Sequence, residues 1–169
     1  MSLNFKKWKN NTGFTLLEII VAMGVIISVL TSALVLITLS VNSTKTTRSK
    51  IIAIGLSQEG LEIVRNIRDN NWLARRRTAL NWKQDLDPGN YRVQYNSSGL
   101  LAFSTMSLRL NSGFYQYDSG NNTLFYRKIT IEHIGNNQIR VISEITWNER
   151  GRNQIISAET RLYNWLEEI

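Results

Sequence analysis

The sequence predicts an α+β protein in which one long N-terminal helix, half apolar anchor and half amphipathic, packs on a C-terminal antiparallel sheet. Three observations predict it. No charged residue occurs from Ile19 to Val41. In the stretch that follows, from Lys50 to Leu73, apolar or small residues recur near helical spacing. The C-terminal region from Leu124 onward then alternates apolar with polar residues in three runs separated by short turns.

The apolar run has the length of a membrane span. As a helix rising about 1.5 Å per residue, Ile19 to Val41 would cover about 34 Å, more than the hydrocarbon core of a bilayer. A secretory signal peptide has an apolar stretch of only about 7 to 15 residues and a small-residue cleavage site after it; this run continues instead into "SVNSTKTTRSK" and reads as a retained anchor. Lys6, Lys7 and Lys9 place the N-terminus in the cytoplasm by the positive-inside rule, against the weaker pull of Lys45, Arg48 and Lys50 on the far side. The divisions expected are a leader over 1–13, a transmembrane half-helix over 14–44 and an extracytoplasmic domain over 45–169.

Composition narrows the chemistry. The 169 residues have room for one modest domain and an appendage. There is no cysteine, which removes disulfides, thiolate metal sites and cysteine nucleophiles while leaving the redox compartment open. His133 is the only histidine, too few for a histidine-built metal site. The net charge is +7, of which Lys6, Lys7 and Lys9 supply three, so the remainder carries a mild +4. No glycine-rich phosphate loop and no paired-carboxylate motif is visible, so neither an enzyme nor a cofactor is expected.

Glu18 is the anomaly, a carboxylate at the head of the apolar run. Thr15 and Glu18 have the spacing of a capping box, and an acidic side chain in a first turn gains about 0.3 to 1 kcal/mol from the helix dipole. The alternative begins from the cost of an ionisable group in hydrocarbon, about 2.5 to 3.5 kcal/mol for Asp at a helix centre, which such residues meet by pairing. The nearest basic residue, Lys9, lies on the leader. A cut between Gly13 and Phe14 would create an α-amino group four residues from Glu18, available on its own helix or, better placed, on a neighbouring one.

A short basic leader ending in glycine, followed by "GFTLLEIIVAMGVIISVL", resembles the signal of type IV prepilins and of the pseudopilins of type II secretion and DNA-uptake systems. That resemblance implies cleavage after Gly13 by the prepilin peptidase, methylation of the Phe14 amine, and pairing of Glu18 with the N-terminus of an adjacent subunit. It also implies a pilin-like helix-on-sheet fold, with other pilin or pseudopilin subunits and an inner-membrane assembly platform as partners. The wording "SQEGLEIVRNIRDNNWL" is similar to minor pilins of the pilin-modification type. The chain departs from many major pilins in having no cysteine and in placing its only proline, Pro88, outside the helix.

Beyond the anchor, Ile52, Leu56, Gly60, Ile63 and Ile67 form the stripe expected to pack on the sheet, with Gln58, Glu59, Glu62, Arg65 and Arg68 on other faces. Gly60, lying on that stripe, is expected to mark a close approach to the sheet. Residues 74–116 read as an irregular loop region with a turn at Asp87, Pro88 and Gly89, a short strand from Tyr91 to Tyr95, and a loop at "NSSG". Arg75, Arg76 and Arg77 form a basic cluster whose usual role is a solvated face, the alternative being a phosphate or nucleic-acid contact. The three C-terminal runs, turning at "GNN" and at "RGRN" (150–153), predict a meander. Its buried face would hold Phe125, Ile129, Ile131, Val141, Ile145, Trp147, Ile156, Ala158 and Leu162. Arg140, Glu144, Glu159 and Arg161 would face solvent or pair across strands, and His133 would end the first strand.

The function expected is structural: a precursor, single-pass in the inner membrane with its N-terminus cytoplasmic, that becomes a subunit of a type IV pilus-like filament at the cell surface. Two alternatives stand beside it, a pseudopilin of a secretion or DNA-uptake machine and a membrane-anchored extracytoplasmic binding domain.

Overall fold

The computed structural model describes residues 13–75 and 81–164. Its element order is α1 (Leu16–Arg75), β1 (Gly89–Arg92), β2 (Leu101–Ala102), β3 (Ser107–Asn111), β4 (Phe114–Gln116), β5 (Asn121–Ile134), β6 (Gln138–Glu149) and β7 (Arg152–Tyr163). The chain is α+β: one long N-terminal helix and an antiparallel sheet. It divides into two compact units, the first ending at Lys45 and the second beginning at Thr46.

In the first unit, α1 exposes apolar side chains on every side, among them Leu17, Val21, Ile26, Leu30 and Leu36. A helix of this composition is long and apolar enough to cross a membrane. Four of its hydroxyls are satisfied within the helix. The hydroxyls of Ser28, Thr31, Ser32 and Thr38 donate to carbonyls three or four residues back at 2.7 to 2.9 Å. Without water, an unpaired hydroxyl would be costly, and these bonds remove that cost locally.

In the second unit, the remaining turns of α1 lie on a seven-stranded sheet. β5 is the spine. One of its edges pairs with β6 over nine residues, Tyr126↔Thr146 to Ile134↔Gln138, and β6 pairs with β7 along its whole length. The other edge of β5 is shared: β1 pairs with its C-terminal half, Tyr91↔Ile129, and β3 with its N-terminal half, Leu110↔Asn121. β2 extends β1 and β4 extends β3.

The meander of β5, β6 and β7 buries the predicted faces. Phe125, Ile129, Ile131, Val141, Ile145, Trp147 and Leu162 are buried, while Ile156 and Ala158, on the edge strand, are half-buried. Two apolar clusters join these strands to the helix. One groups Leu61, Ile63, Val64, Ile67 and Trp72 with Val93, Ile129, Ile131, Ile139, Val141 and Leu162. The other groups Ala53 and Leu56 with Leu108, Tyr117, Phe125, Ile145 and Trp147. On the opposite face, Arg140 bridges Glu132 and Glu159 at 3.1 and 2.7 Å, and Lys128 meets Glu144 at 2.8 Å.

The irregular region expected over 74–116 is instead partly sheet: β1 to β4 all fall in or at the end of it. Strands of two to five residues are too short for period-two alternation to show, and they form because the long β5 edge offers them partners. The β3–β4 hairpin turns on Ser112 and Gly113, both with positive φ (50° and 88°), the geometry of a two-residue type I′ turn. The strand expected over Tyr91 to Tyr95 covers Gly89–Arg92 only, and the carbonyl of Val93 accepts from Arg127 at 3.0 Å rather than continuing the ladder. The β6–β7 turn uses only Arg150 and Gly151, with φ of 55° and 75°, so Arg152 and Asn153 of the expected "RGRN" turn are strand residues paired with Glu149 and Asn148.

Candidate functional site at the start of the helix

Gly13, Phe14 and Thr15 precede the helix, which begins at Leu16. Thr15 caps it. Its carbonyl accepts from the Ile19 amide at 3.2 Å, and its hydroxyl accepts from the Glu18 amide at 3.3 Å, satisfying one of the amides a helix start leaves open. The reciprocal half of a capping box, in which the Glu18 carboxylate would accept from the Thr15 amide, is not formed. Among the described residues the Glu18 carboxylate has neither a hydrogen-bond nor an ion-pair partner. Helix chemistry thus accounts for Thr15 and leaves the carboxylate of Glu18 to the dipole alone.

Phe14 is 78% exposed. A Cβ built on Gly13 would meet nothing within 4 Å, and Gly13 is not among the residues with positive φ. Neither space nor backbone conformation asks for glycine at that position. Lys6, Lys7 and Lys9 lie outside the described residues.

The helix stripe predicted for sheet packing falls as follows. Leu56, Gly60, Ile63 and Ile67 are buried and Ile52 is half-buried. The buried face is broader than the stripe, taking in Ala53, Ser57, Leu61, Val64, Arg68 and Trp72. Gly60 lies directly against β6: a Cβ there would stand 2.5 Å from Ser143 Oγ and 3.0 Å from Ile129 Cδ1. One helical turn earlier, Ser57 Oγ donates to the Ser143 carbonyl at 2.9 Å.

Two charged residues expected on other faces of the helix are in fact part of the packing. Arg68 is buried with its guanidinium over the Trp72 ring, 4.3 Å from the centroid, where its stem covers apolar surface and its charge meets the ring face. Glu59 pairs at 3.0 Å with Arg127, whose side chain is fully buried between helix and sheet. Arg127 sits on the inward row of β5 between Phe125 and Ile129, so the period-two pattern marks its position as interior. The signal that a charge there needs a partner from the covering helix was legible in that pattern.

Of the basic cluster, Arg75 is the last residue of α1, and Arg76 and Arg77 lie outside the described residues. His133 lies one residue before the end of β5 with Nε2 2.8 Å from the Leu86 carbonyl. Among the described residues no group of three or more histidine or carboxylate side chains is placed to hold a metal ion. Comparison of the chain with protein-family models, with curated proteins and with solved structures gave no match.

Proposed function

We propose that this chain is a prepilin: an inner-membrane precursor cleaved between Gly13 and Phe14 and assembled through its N-terminal helix into a type IV pilus-like filament, as a minor subunit. The observation that carries the reading is Glu18. It is a carboxylate in the first turn of α1, at the head of a stretch with no other charge from Ile19 to Val41, without a partner among the described residues, four positions after the residue that cleavage would make N-terminal.

In this reading Lys6, Lys7 and Lys9 hold the leader on the cytoplasmic side, where the prepilin peptidase removes it after Gly13 and methylates the Phe14 amine. The helices of neighbouring subunits then bundle by their apolar surfaces, which alone would allow many axial offsets. Pairing Glu18 with a neighbouring Phe14 amine selects one offset, because burying either charge unpaired costs several kcal/mol, on the order of 3 to 5. The internally bonded hydroxyls of Ser28 to Thr38 and the absence of proline from α1 fit a helix meant to pack lengthwise. The helix-on-sheet plan of the second unit supports a pilin-like fold.

Intact mass of the protein purified from cells that contain the peptidase tests the reading. A chain beginning at methylated Phe14 is expected; one still beginning at Met1 or Ser2 would sink it. A second reading, a single-pass anchored binding domain, is favoured by an open groove of about 530 Å³ on the outer face of the sheet, lined by Phe103, Met106, Tyr126 and Ile155. It keeps Met1 to Gly13, so the same mass measurement separates the two. A pseudopilin of a secretion or DNA-uptake machine would be processed alike and differ in its partners.

A further inference from the structure

One end of the second unit combines aromatic and basic side chains in the manner of a membrane-interface surface. The strand registers bring the β6–β7 turn, the start of β5 and the β3–β4 turn to the same end of the sheet, since Thr146 pairs with Tyr126 and Leu110 with Asn121. That is also the end at which α1 enters: Thr46, the first residue of the unit, donates from its hydroxyl to Glu149 Oε1 at 3.0 Å.

At this end Phe114 is half exposed and stacked on Tyr95 with ring centroids 4.5 Å apart. Arg150 and Arg152 are exposed and have no hydrogen-bond or ion-pair partner among the described residues. Arg48, two residues into the unit, is exposed and acts electrostatically on Tyr115 of β4. The acidic groups nearby are already engaged: Glu149 accepts from Thr46 and Trp147, and Asp118 accepts from Gln94.

We propose that this end of the domain docks on the membrane surface, with Phe114 and Tyr95 in the interfacial layer and Arg48, Arg150 and Arg152 on the phosphates of anionic lipid headgroups. The inference rests on the apolar run being a membrane span, and chain length then supplies the proximity. Val41, the last large apolar residue of the run, is five residues from Thr46, and five residues reach at most about 18 Å in any conformation. Thr46, which lies at this end of the unit beside Glu149, is therefore held within reach of the headgroups by chain length alone. Tyrosine is enriched at the interface, an exposed phenylalanine ring gains by entering the boundary beneath the headgroups, and basic residues are attracted to anionic lipid there.

The full chain, which has no cysteine, accepts a single spin label for the test. Labels at Ser112→Cys in the β3–β4 turn, at Asn136→Cys in the β5–β6 turn of the opposite end, and at Ile27→Cys in the apolar run are compared in vesicles of phosphatidylcholine with and without phosphatidylglycerol. The reading is collision with oxygen, which enters lipid, against collision with a water-soluble nickel complex. The Ile27 label decides the span alone: access to nickel there overturns the membrane reading itself. With that label in lipid, Ser112 is expected to be shielded from nickel in anionic vesicles while Asn136 stays open.

Arg150→Asn with Arg152→Gln is expected to reopen Ser112, lowering the docked-to-free ratio about fivefold per charge, equivalent to about 1 kcal/mol for each basic residue. Asparagine is chosen because position 150 has a positive φ of 55°. Equal nickel access at Ser112 and Asn136, or shielding indifferent both to anionic lipid and to the two substitutions, overturns the proposal and leaves the span standing.

Discussion

Glu18 and Glu59 are carboxylates of the same helix in opposite situations. Glu59 meets Arg127 at 3.0 Å, and its partner is built into the sheet of the same chain. Glu18 heads a run of residues with no charge as far as Val41, and among the described residues its carboxylate has no partner. Burying a charge is tolerable only with an opposite charge and hydrogen bonds beside it. The difference teaches how far one chain accounts for each carboxylate: Glu59 is explained by the fold of the chain itself, whereas for Glu18 the described residues supply no partner, and the proposed function seeks it in a second molecule. That contrast can be broken by measuring which of the two supports the stability of the second unit.

The largest loss is expected at the internal pair. Glu59→Ala strands Arg127, whose side chain is fully buried, and removal of one member of a buried pair costs about 3 to 5 kcal/mol. Because the Glu59 side chain is 32% exposed, water softens the loss, and about 3 kcal/mol is expected from chemical denaturation of the full chain in detergent. Glu59→Leu combined with Arg127→Met should recover most of it, since two apolar groups leave no charge behind. A single Glu59→Ala variant as stable as the parent would make the two glutamates alike and remove the contrast.

A smaller loss is expected where the helix touches β6. Gly60→Ala places a methyl group 2.5 Å from Ser143 Oγ and 3.0 Å from Ile129 Cδ1, and such overpacking costs about 1 to 3 kcal/mol. Alanine regains about 1 kcal/mol of helix propensity, so a net loss of about 1 kcal/mol is expected. Ser143→Ala removes both the nearest atom and a buried hydroxyl without a donor–acceptor partner among the described residues. The double variant should therefore melt at or above the parent, and a Gly60→Ala single variant more stable than the parent would deny the close approach.

These two sites show what the sequence discloses. Gly60 was legible as a close approach because it interrupts an apolar stripe, and the long strands were legible because twelve or more residues give alternation room to appear. The Glu59–Arg127 pair was half legible: Arg127 falls on an inward position of β5, whereas Glu59 looks like any solvated charge until the helix is laid on the sheet. β1 to β4 were hidden by their brevity, since their pairing is decided by the free edge of β5 rather than by their own residues. At the helix start, Thr15 as cap was legible from spacing, and its bond to the Glu18 amide follows it.

A smaller effect still is expected from Tyr117, which lies near the internal pair. Burial pushes its phenol above the ordinary 10.0, opposed by Arg127 and Arg92 and aided by Glu59. A folded-state value above the unfolded one means that the stability it lends is complete below about pH 10 and is lost as pH rises from there through the folded value. Its hydroxyl is buried without a partner among the described residues, so Tyr117→Phe should be neutral or slightly stabilising at pH 7. Above pH 10 the parent should lose stability faster than the variant. Parallel curves through that range would show that burial beside the Glu59–Arg127 pair does not raise the Tyr117 phenol.

The smallest effect on folding is expected at Glu18, and the smallness is informative. Its amide is capped by Thr15, and Glu18→Gln leaves that bond and the whole second unit untouched. Loss of the dipole interaction costs about 0.3 to 1 kcal/mol at the helix start and nothing in the sheet, so the unfolding transition of the domain should be unchanged. In cells the variant should be made, inserted and cleaved at the parent's level. Under the proposed function what changes is assembly: glutamine would leave a neighbour's Phe14 amine unpaired in an apolar bundle, a cost on the order of several kcal/mol per subunit, and the sheared extracellular fraction should be depleted of the variant or of filaments altogether. If filaments form in normal number and carry the variant at the normal level, the carboxylate needs no partner outside the chain, and Glu18 differs from Glu59 only in lying at the start of a helix.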